Sequence, residues 1–474
     1  EATYHLGLCY AYSKGVPRDM KKAIKCYNQA AESHHIDSLI ALGNYYMESD
    51  ETHKQNVKKA LKAYNAAASF GSNEAMNILA SFYINGIPGY IEPNMDKAIN
   101  LYRKSSEKGD QYAPYALCIY LYGPEIKEHH EEQMRLLRDA AYRQNKDAAY
   151  ILGETYRKGG KYVKHDIGKA YCFYQIAADL GDPKSQYQLA CIFLLHEKDI
   201  QYSPKQAFSI FKSLKEKYND ADSIAKLGEC YEYGYHGTAK FDRALALYEE
   251  AFSLGSQQAA IILARLYHEG QKVEKNDQKA FEYLQKGTEF EGMEANYELA
   301  LYYLEGIGVE RNNDKAIELL TLASDNGYYK ASDHLARIYF EGVIRKKDEK
   351  KAIQLFETAV EGEYTESASN LGLLYFNGNG VRKNEKEAVR LFSIASNNND
   401  PRGTFLLAQC YDTGKGVEVN SVKAIELYTE ALNNGYQEAA NSIFNLHKKL
   451  AKKDNIKEIL ELAKCYEQGI GVEK

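Results

Sequence analysis

The sequence predicts an all-α, right-handed solenoid of about twelve helix-turn-helix repeats of 36–38 residues, ending in an irregular C-terminal stretch. Three observations carry this: a marker that recurs at nearly constant spacing, an apolar pattern with the period of a helix, and start and stop residues at fixed offsets from the marker. The marker is the Ala of segments such as KKA, DKA, GKA, DRA and KEA. It falls at Ala23, Ala60, Ala98, Met134, Ala170, Ala207, Ala244, Ala280, Ala316, Ala352, Ala388 and Ala424. Self-similarity at a 36-residue period is the signature of a stacked array, in which one unit cannot bury its apolar face alone.

Each unit reads as two helices. Helix A carries patterns such as ATYHLGLCY at 2–10 and ANYELALYY at 295–303, with apolar residues at i, i+3, i+4 and i+7. Three residues before its closing aromatic stands a small residue, among them Gly7, Gly43, Ala80, Cys118, Gly153, Gly228, Ala300 and Gly372. A small side chain there lets a neighbouring helix come close. Helix B begins four residues before the marker, at Asp19, Asn56, Asn94, Asp166, Ser203, Asn276, Asn312, Asp348, Asn384 and Asn420. These residue types accept hydrogen bonds from the free N–H groups of a first turn and are read as N-caps. Four residues after the marker an aromatic such as Tyr27, Tyr102, Phe211, Phe392 or Tyr428 is expected to point into the core. Eleven residues after it, Gly71, Gly109, Asn145, Gly181, Gly255, Gly327, Asn399 and Gly435 are expected to end helix B in the left-handed conformation.

Domain organisation follows from the register. Residues 1–438 form the regular array, and 439–474 read as degenerate, truncated repeats of it. Repeat four, 113–148, lacks the glycine turn and the marker Ala. Near the end, FNLHKKLAKK is followed by a new helix A with no helix B between, so a change of direction or a pairing of two A-type helices is expected there.

The Gly-x-Gly of YLEGIGVERNNDKA at 303–316 invites a phosphate-loop reading. A dinucleotide fingerprint needs a preceding strand and a third Gly opening a helix. Here a helix precedes Gly306 and Gly308, and Asn312 caps the next one. The same turn recurs as GNGV, GKGV and GIGV. Gly306 and Gly308 are therefore turn glycines.

These features together (LGxxY, the GxGV turn and DxxKAxxxY…AAxxG) resemble the Sel-one-like repeat family, relatives of the tetratricopeptide repeat, over essentially the whole chain. The resemblance departs in having no Trp in helix B. It implies a protein-binding scaffold. Members serve as adaptors in endoplasmic-reticulum-associated degradation, as activators of chitin synthase and as bacterial factors in host contact, and some arrays are joined to protein kinase domains.

The bulk properties agree with a scaffold. Hydrophobic residues make up 45% and charged residues 27% of 474, and the net charge of −6 is interspersed. No basic face for nucleic acid is legible, and no apolar run is long enough to span a membrane. No HExxH, GxSxG or GxxxxGK[ST] is found, so no catalytic residue, cofactor or metal site is assigned. HHEE at 129–132 is the densest set of metal-ligand types, but adjacent helical residues diverge by about 100°; it reads as a solvated helix start. His34 and His35 read as exposed turn residues. The eight cysteines include no CxxC and read as free buried thiols, which favours a reducing, cytoplasmic compartment. With Glu at position 1 and GIGVEK at the close, the ends read as cut. A regulatory arm of a larger enzyme such as a kinase, or a luminal or secreted adaptor, are the rival readings.

Tyr is abundant, at 41 residues, and exposed Tyr is a good contact residue because it is large, partly polar and loses little entropy. Those outside the repeated core positions are the candidate partner-binding residues: Tyr12, Tyr115, Tyr233, Tyr235, Tyr328, Tyr329, Tyr364 and Tyr436. Tyr328, Tyr364 and Tyr436 lie in turns joining units, where packing between repeats competes.

Overall fold

The structure is a computed structural model that describes all residues except 49–52, 124–128, 160, 161, 196–200, 236, 363, 452–455, 473 and 474. Among the described residues there are twenty-six helices, from Ala2–Tyr12 to Ile456–Gln468, and no strand. The longer A–B turn of repeat three, INGIPGYIEPN, closes on an isolated bridge between Ile87 and Ile91. The chain forms two compact bodies. One comprises Glu1–Thr155 with Lys169–Gln186, the other Tyr156–Gly168 with Tyr187–Lys474.

Within a repeat, helices A and B are locked by three contacts that the sequence repeats. The first is a ring on a small residue. Tyr27, Tyr64, Tyr174, Tyr248 and Phe392 of helix B are buried to within 3% of full enclosure and lie flat on Gly7, Gly43, Gly153, Gly228 and Gly372 of helix A. A Cβ at any of those glycines would come within 2.5–2.6 Å of the ring. The small residue is thus required by the aromatic partner of its own repeat. The second is a backbone clasp. The N–H of the residue that caps helix B donates to the carbonyl of the closing aromatic of helix A, as in Asn312 to Tyr303 at 2.9 Å and Asn420 to Tyr411 at 2.8 Å. The third is a cation on that same aromatic. Lys279, Lys315, Lys351 and Lys423, each just before the marker Ala, stand 4.0, 5.1, 4.5 and 4.7 Å over the rings of Tyr267, Tyr303, Tyr339 and Tyr411. Such pairs contribute about 0.5–1 kcal/mol each at exposed sites.

The caps hold where the sequence places them in most repeats. Asp19, Asn94, Asn276, Asn312, Asp348, Asn384 and Asn420 accept from the third helical N–H at 2.8–3.2 Å. Asn56 does not. Its helix begins a turn earlier, at His53, because the preceding segment carries no Gly and His-Lys-Gln continues the helix backwards. Ser203 precedes its helix but makes no cap bond.

Repeat four is shifted by one residue. Gln133, not Met134, holds the fully enclosed marker position, with Leu137 and Ala140 following it inward. Cys118 Sγ of helix A reaches the Gln133 carbonyl at 3.9 Å. The left-handed residue is consequently Gln144, with φ 67°, and Asn145 instead caps the next helix by accepting from Ala148 N at 2.9 Å.

The GxGV turn also joins successive repeats. Gly306 ends helix A at φ 78°, and Gly308 at φ 64° leaves no room for a Cβ against the Asp277 carbonyl, at the start of the preceding helix B. Gly416 stands in the same relation to Glu385, and Gly471 to Ala440. At the C-terminal end the helix Glu438–Ala451 packs directly on Ile456–Gln468, the pairing of two A-type helices that the missing helix B demands.

The thiols are unpaired. Cys118, Cys230, Cys410 and Cys465 are buried, Cys9, Cys26 and Cys191 partly so, and Cys172 is exposed, contrary to a uniformly enclosed set. His34 is exposed as expected, whereas His35 is half-buried between Ser38 Oγ and Glu1, both at 3.0 Å.

Two outcomes test this packing. Gly228→Ala should lower the urea midpoint by the equivalent of about 1–3 kcal/mol, the cost of overpacking, although Ala in an open helix interior would stabilise by roughly 0.5–1 kcal/mol; an unchanged or raised midpoint refutes the ring-on-glycine contact. Burial pushes the Cys230 thiol up to about 12, so at pH 8 it stays protonated and a disulfide reagent should label Cys172 fast and Cys230 only on unfolding. Rapid labelling of Cys230 in the folded chain would contradict its burial.

Candidate protein-binding face

The face that remains for a partner is built by helix A. Its inner side uses the positions three and two before the small residue, one after it, and five after it. In the first body these positions line a groove of about 330 Å³, walled by Tyr4, Leu8, Ile40 and Tyr45, with Asp37 and Glu74 at its edge and Tyr12 at its mouth. A second hollow of about 480 Å³ continues from Glu74 along Asn77 and Ile78 to Tyr102, Tyr112 and Tyr120. In the second body a cavity of about 320 Å³ lies between the starts of successive A helices, lined by Asp220, Asp222, Ser256, Gln257, Glu291 and Glu294.

The eight singled-out tyrosines divide between this face and the packing. Tyr12 and Tyr233 are exposed, and each sits five residues after the small residue of its helix A. Tyr233 stacks on half-buried Tyr235 at 5.6 Å, with Lys272 Nζ 5.5 Å from its ring. Tyr115 is half-buried and edge-on to Tyr112 at 5.9 Å. Tyr329 fills the space that a side chain at Gly362 would need. The turn residues pack between repeats: Tyr328 lies against Tyr297 at 5.5 Å, and Tyr436 against Phe405 at 4.8 Å. Tyr364 and Tyr436 donate to Glu366 and Glu438 at 2.5 and 2.9 Å. Of the eight, Tyr233 and Tyr235 form a ring pair among the described residues.

A signal in the sequence was passed over. Tyr115 is one of a column three residues before the small residue, shared by Tyr4, Tyr150, Tyr187 and Tyr297. Tyr4 lines the groove of the first body, whereas Tyr297 in the second is buried. Burial raises the Tyr297 phenol above its ordinary value, with Glu298 adding to the effect. Tyr297 Oη is 3.4 Å from His334 Nδ1, and burial, then Arg337, depresses the His334 imidazole. Glu298 is half-buried; burial holds its carboxyl above the usual range, with Lys330 opposing.

Among the described residues no group of three or more His, Cys, Asp or Glu is arranged to hold a metal ion. In the HHEE segment, Glu132 is occupied by a bidentate pair with Arg135 at 2.8 and 2.6 Å. No helix is long and apolar enough to cross a membrane among those residues. What the face offers is aromatic and carboxylate surface on rigid helices, suited to gripping a chain.

The chain is similar to several known proteins. The chain is 27% identical over 177 residues to an uncharacterised protein of Neisseria meningitidis serogroup B, covering 37% of this chain and 36% of that protein. It is 25% identical over 213 residues to chitin synthase regulatory factor 3 of Schizosaccharomyces pombe, covering 43% and 23%. The chain thus spans about a third and about a quarter of the length of these relatives. Among solved structures, c5321, a protective antigen of uropathogenic Escherichia coli displaying an SLR fold, aligns over 93% of this chain and 92% of its own with 24% identity and a TM-score of 0.46. The Sel1 repeat pattern matches residues 1–35, 36–69, 73–110, 146–182, 183–216, 221–256, 257–289, 294–328, 330–364, 365–400, 401–436 and 459–474. It passes over 111–145 and 437–458, where the register shifts and where helix B is missing. Twelve matched segments, which together cover most of the chain, establish that it belongs to the Sel1 repeat family.

Proposed function

We propose that this chain is a non-catalytic scaffold or adaptor that holds extended segments of partner proteins along the inner faces of its A helices. The observation that carries this is the tyrosine recurring at one helix A position, at Tyr4, Tyr115, Tyr150, Tyr187 and Tyr297, of which Tyr4 lines the groove of the first body. Sel1 repeats generally act in protein–protein interaction. A column of large, rigid, partly polar rings gives contact area at low entropic cost, and a stack of similar units presents it at intervals suited to a polypeptide.

A second reading has one observation in its favour. The match to the fission-yeast regulatory factor covers only 23% of that protein, which fits an array serving as the targeting arm of something larger. Both readings place the working surface on helix A, and both are tested together.

A photo-crosslinking residue at Tyr233, on the inner side of helix A, should capture a partner from extracts of the source cell. The same residue at Lys212, on an exposed part of helix B, should not. Crosslinks from Lys212 alone, or from neither position, would refute binding through the A helices.

A further inference from the structure

In the first two repeats helix A carries two kinds of ring. The closing rings, Tyr10 and Tyr46, are covered by the chain's own lysines, with Lys22 Nζ and Lys59 Nζ at 5.4 and 5.3 Å from their centroids. Tyr4, Tyr12 and Tyr45 instead line the groove of about 330 Å³. Tyr12 is 69% exposed, Tyr4 and Tyr45 are half-buried, and among the described residues no cation stands over any of the three. The same groove is lined by Asp37, Glu48 and Glu74, all exposed and, among the described residues, without a hydrogen bond or ion pair. Elsewhere in the chain such carboxylates find a basic side chain one turn away, as Glu132 does at Arg135 and Glu387 at Arg390. Arg18, the one basic residue in the lining, makes no ion pair with them.

Asp37 and Glu74 open their helices, where a carboxylate suits the helix dipole, and this accounts for them without a partner. Glu48 closes the helix Ile36–Glu48, which has no basic residue in its last turn, and there the same dipole disfavours an acid. It holds the place five residues after the small residue that Tyr12 holds in the first repeat, and the fold gains nothing from its charge. We propose that this groove of the first body holds an extended segment of a partner protein that carries arginine or lysine beside apolar residues. The cations take the uncovered faces of Tyr4, Tyr12 and Tyr45, the contact that Lys22 and Lys59 make with Tyr10 and Tyr46, and pair with Glu48 and Glu74. Their alkyl stems and the apolar neighbours lie along Leu8 and Ala41. The hollow of about 480 Å³ that continues from Glu74, with exposed Tyr112 and half-buried Tyr120 in its lining, extends the same surface. Asp110 there is already used, accepting from Tyr112 N and Ala113 N at 2.9 and 2.6 Å. An acidic segment meets three carboxylates in repulsion. The inference rests on the adaptor reading and gives that partner its chemistry.

A random dodecapeptide library displayed on phage and selected on the full chain tests it, the enriched peptides then being titrated by fluorescence anisotropy on the native chain and its variants. Enriched peptides should carry Arg or Lys together with apolar residues, and salt should weaken their binding. Glu48→Gln and Glu74→Gln should each weaken it roughly two- to fivefold, and Tyr12→Ala about fivefold. Glu107→Gln, the same charge change on a helix B, should leave it unchanged. Glu48→Gln should melt no lower than the native chain. Enriched peptides without basic residues, binding undiminished in Glu48→Gln, Glu74→Gln and Tyr12→Ala, or a lowered melting temperature of Glu48→Gln would each overturn this reading of the groove and leave the adaptor reading standing. No enrichment at all would overturn the inference, and the adaptor reading falls with it only if the crosslinker at Tyr233, in the second body, also captures nothing.

Discussion

Everything in this fold depends on an aromatic ring of helix B lying on a residue of helix A that has almost no side chain. Tyr248 on Gly228 and Phe392 on Gly372 set the distance between the two helices. That distance allows the N–H of the cap to reach the carbonyl of the closing aromatic, and the clasp brings the lysine before the marker over the same ring. A neutral ring contact, a backbone bond and a cation–π contact are modest separately, but they share atoms and reinforce one another. Where Ala stands in place of the glycine, it is buried in one cluster with the helix B residue of its repeat: Ala300 with Leu320, Ala336 with Phe356, and Ala408 with Tyr428.

The regular part of this arrangement was legible because its physics is local. Caps, left-handed residues and the 3.6-residue period are set by a few neighbours, and recurrence makes each visible many times over. The misreadings fall where neighbours decide. Met134 preserves an even spacing and is apolar, so it passes for the marker; only the packing shows that Gln133 takes the enclosed place opposite Cys118. Asn56 has a cap's chemistry, but a helix can run through such a residue when nothing upstream stops it, and here it starts at His53.

The binding face was only partly legible, for a related reason. Exposure of a tyrosine is a property of the stack and not of the repeat. Tyr12 and Tyr233 project into solvent, whereas Tyr328 and Tyr436 are taken up by Tyr297 and Phe405 of a helix far away in sequence. The column containing Tyr4, Tyr115 and Tyr297 was hidden because it occurs in some repeats and gives way to Ile40, Asn77 or Asp333 in others. Those substitutions are what distinguish one stretch of the face from the next.

The turn glycine that meets the previous repeat needs only a carbonyl at the start of a helix. Gly308 and Gly416 find theirs on a B helix, at Asp277 and Glu385, yet Gly471 finds the same kind of carbonyl at Ala440 on an A helix. The joint recognises backbone and not side-chain identity, so its specificity is geometric. An array joined this way can lose or gain a single helix, and not only a whole repeat, while the next turn still seats. A step of half a period would change which side the following surface faces without redesigning any interface.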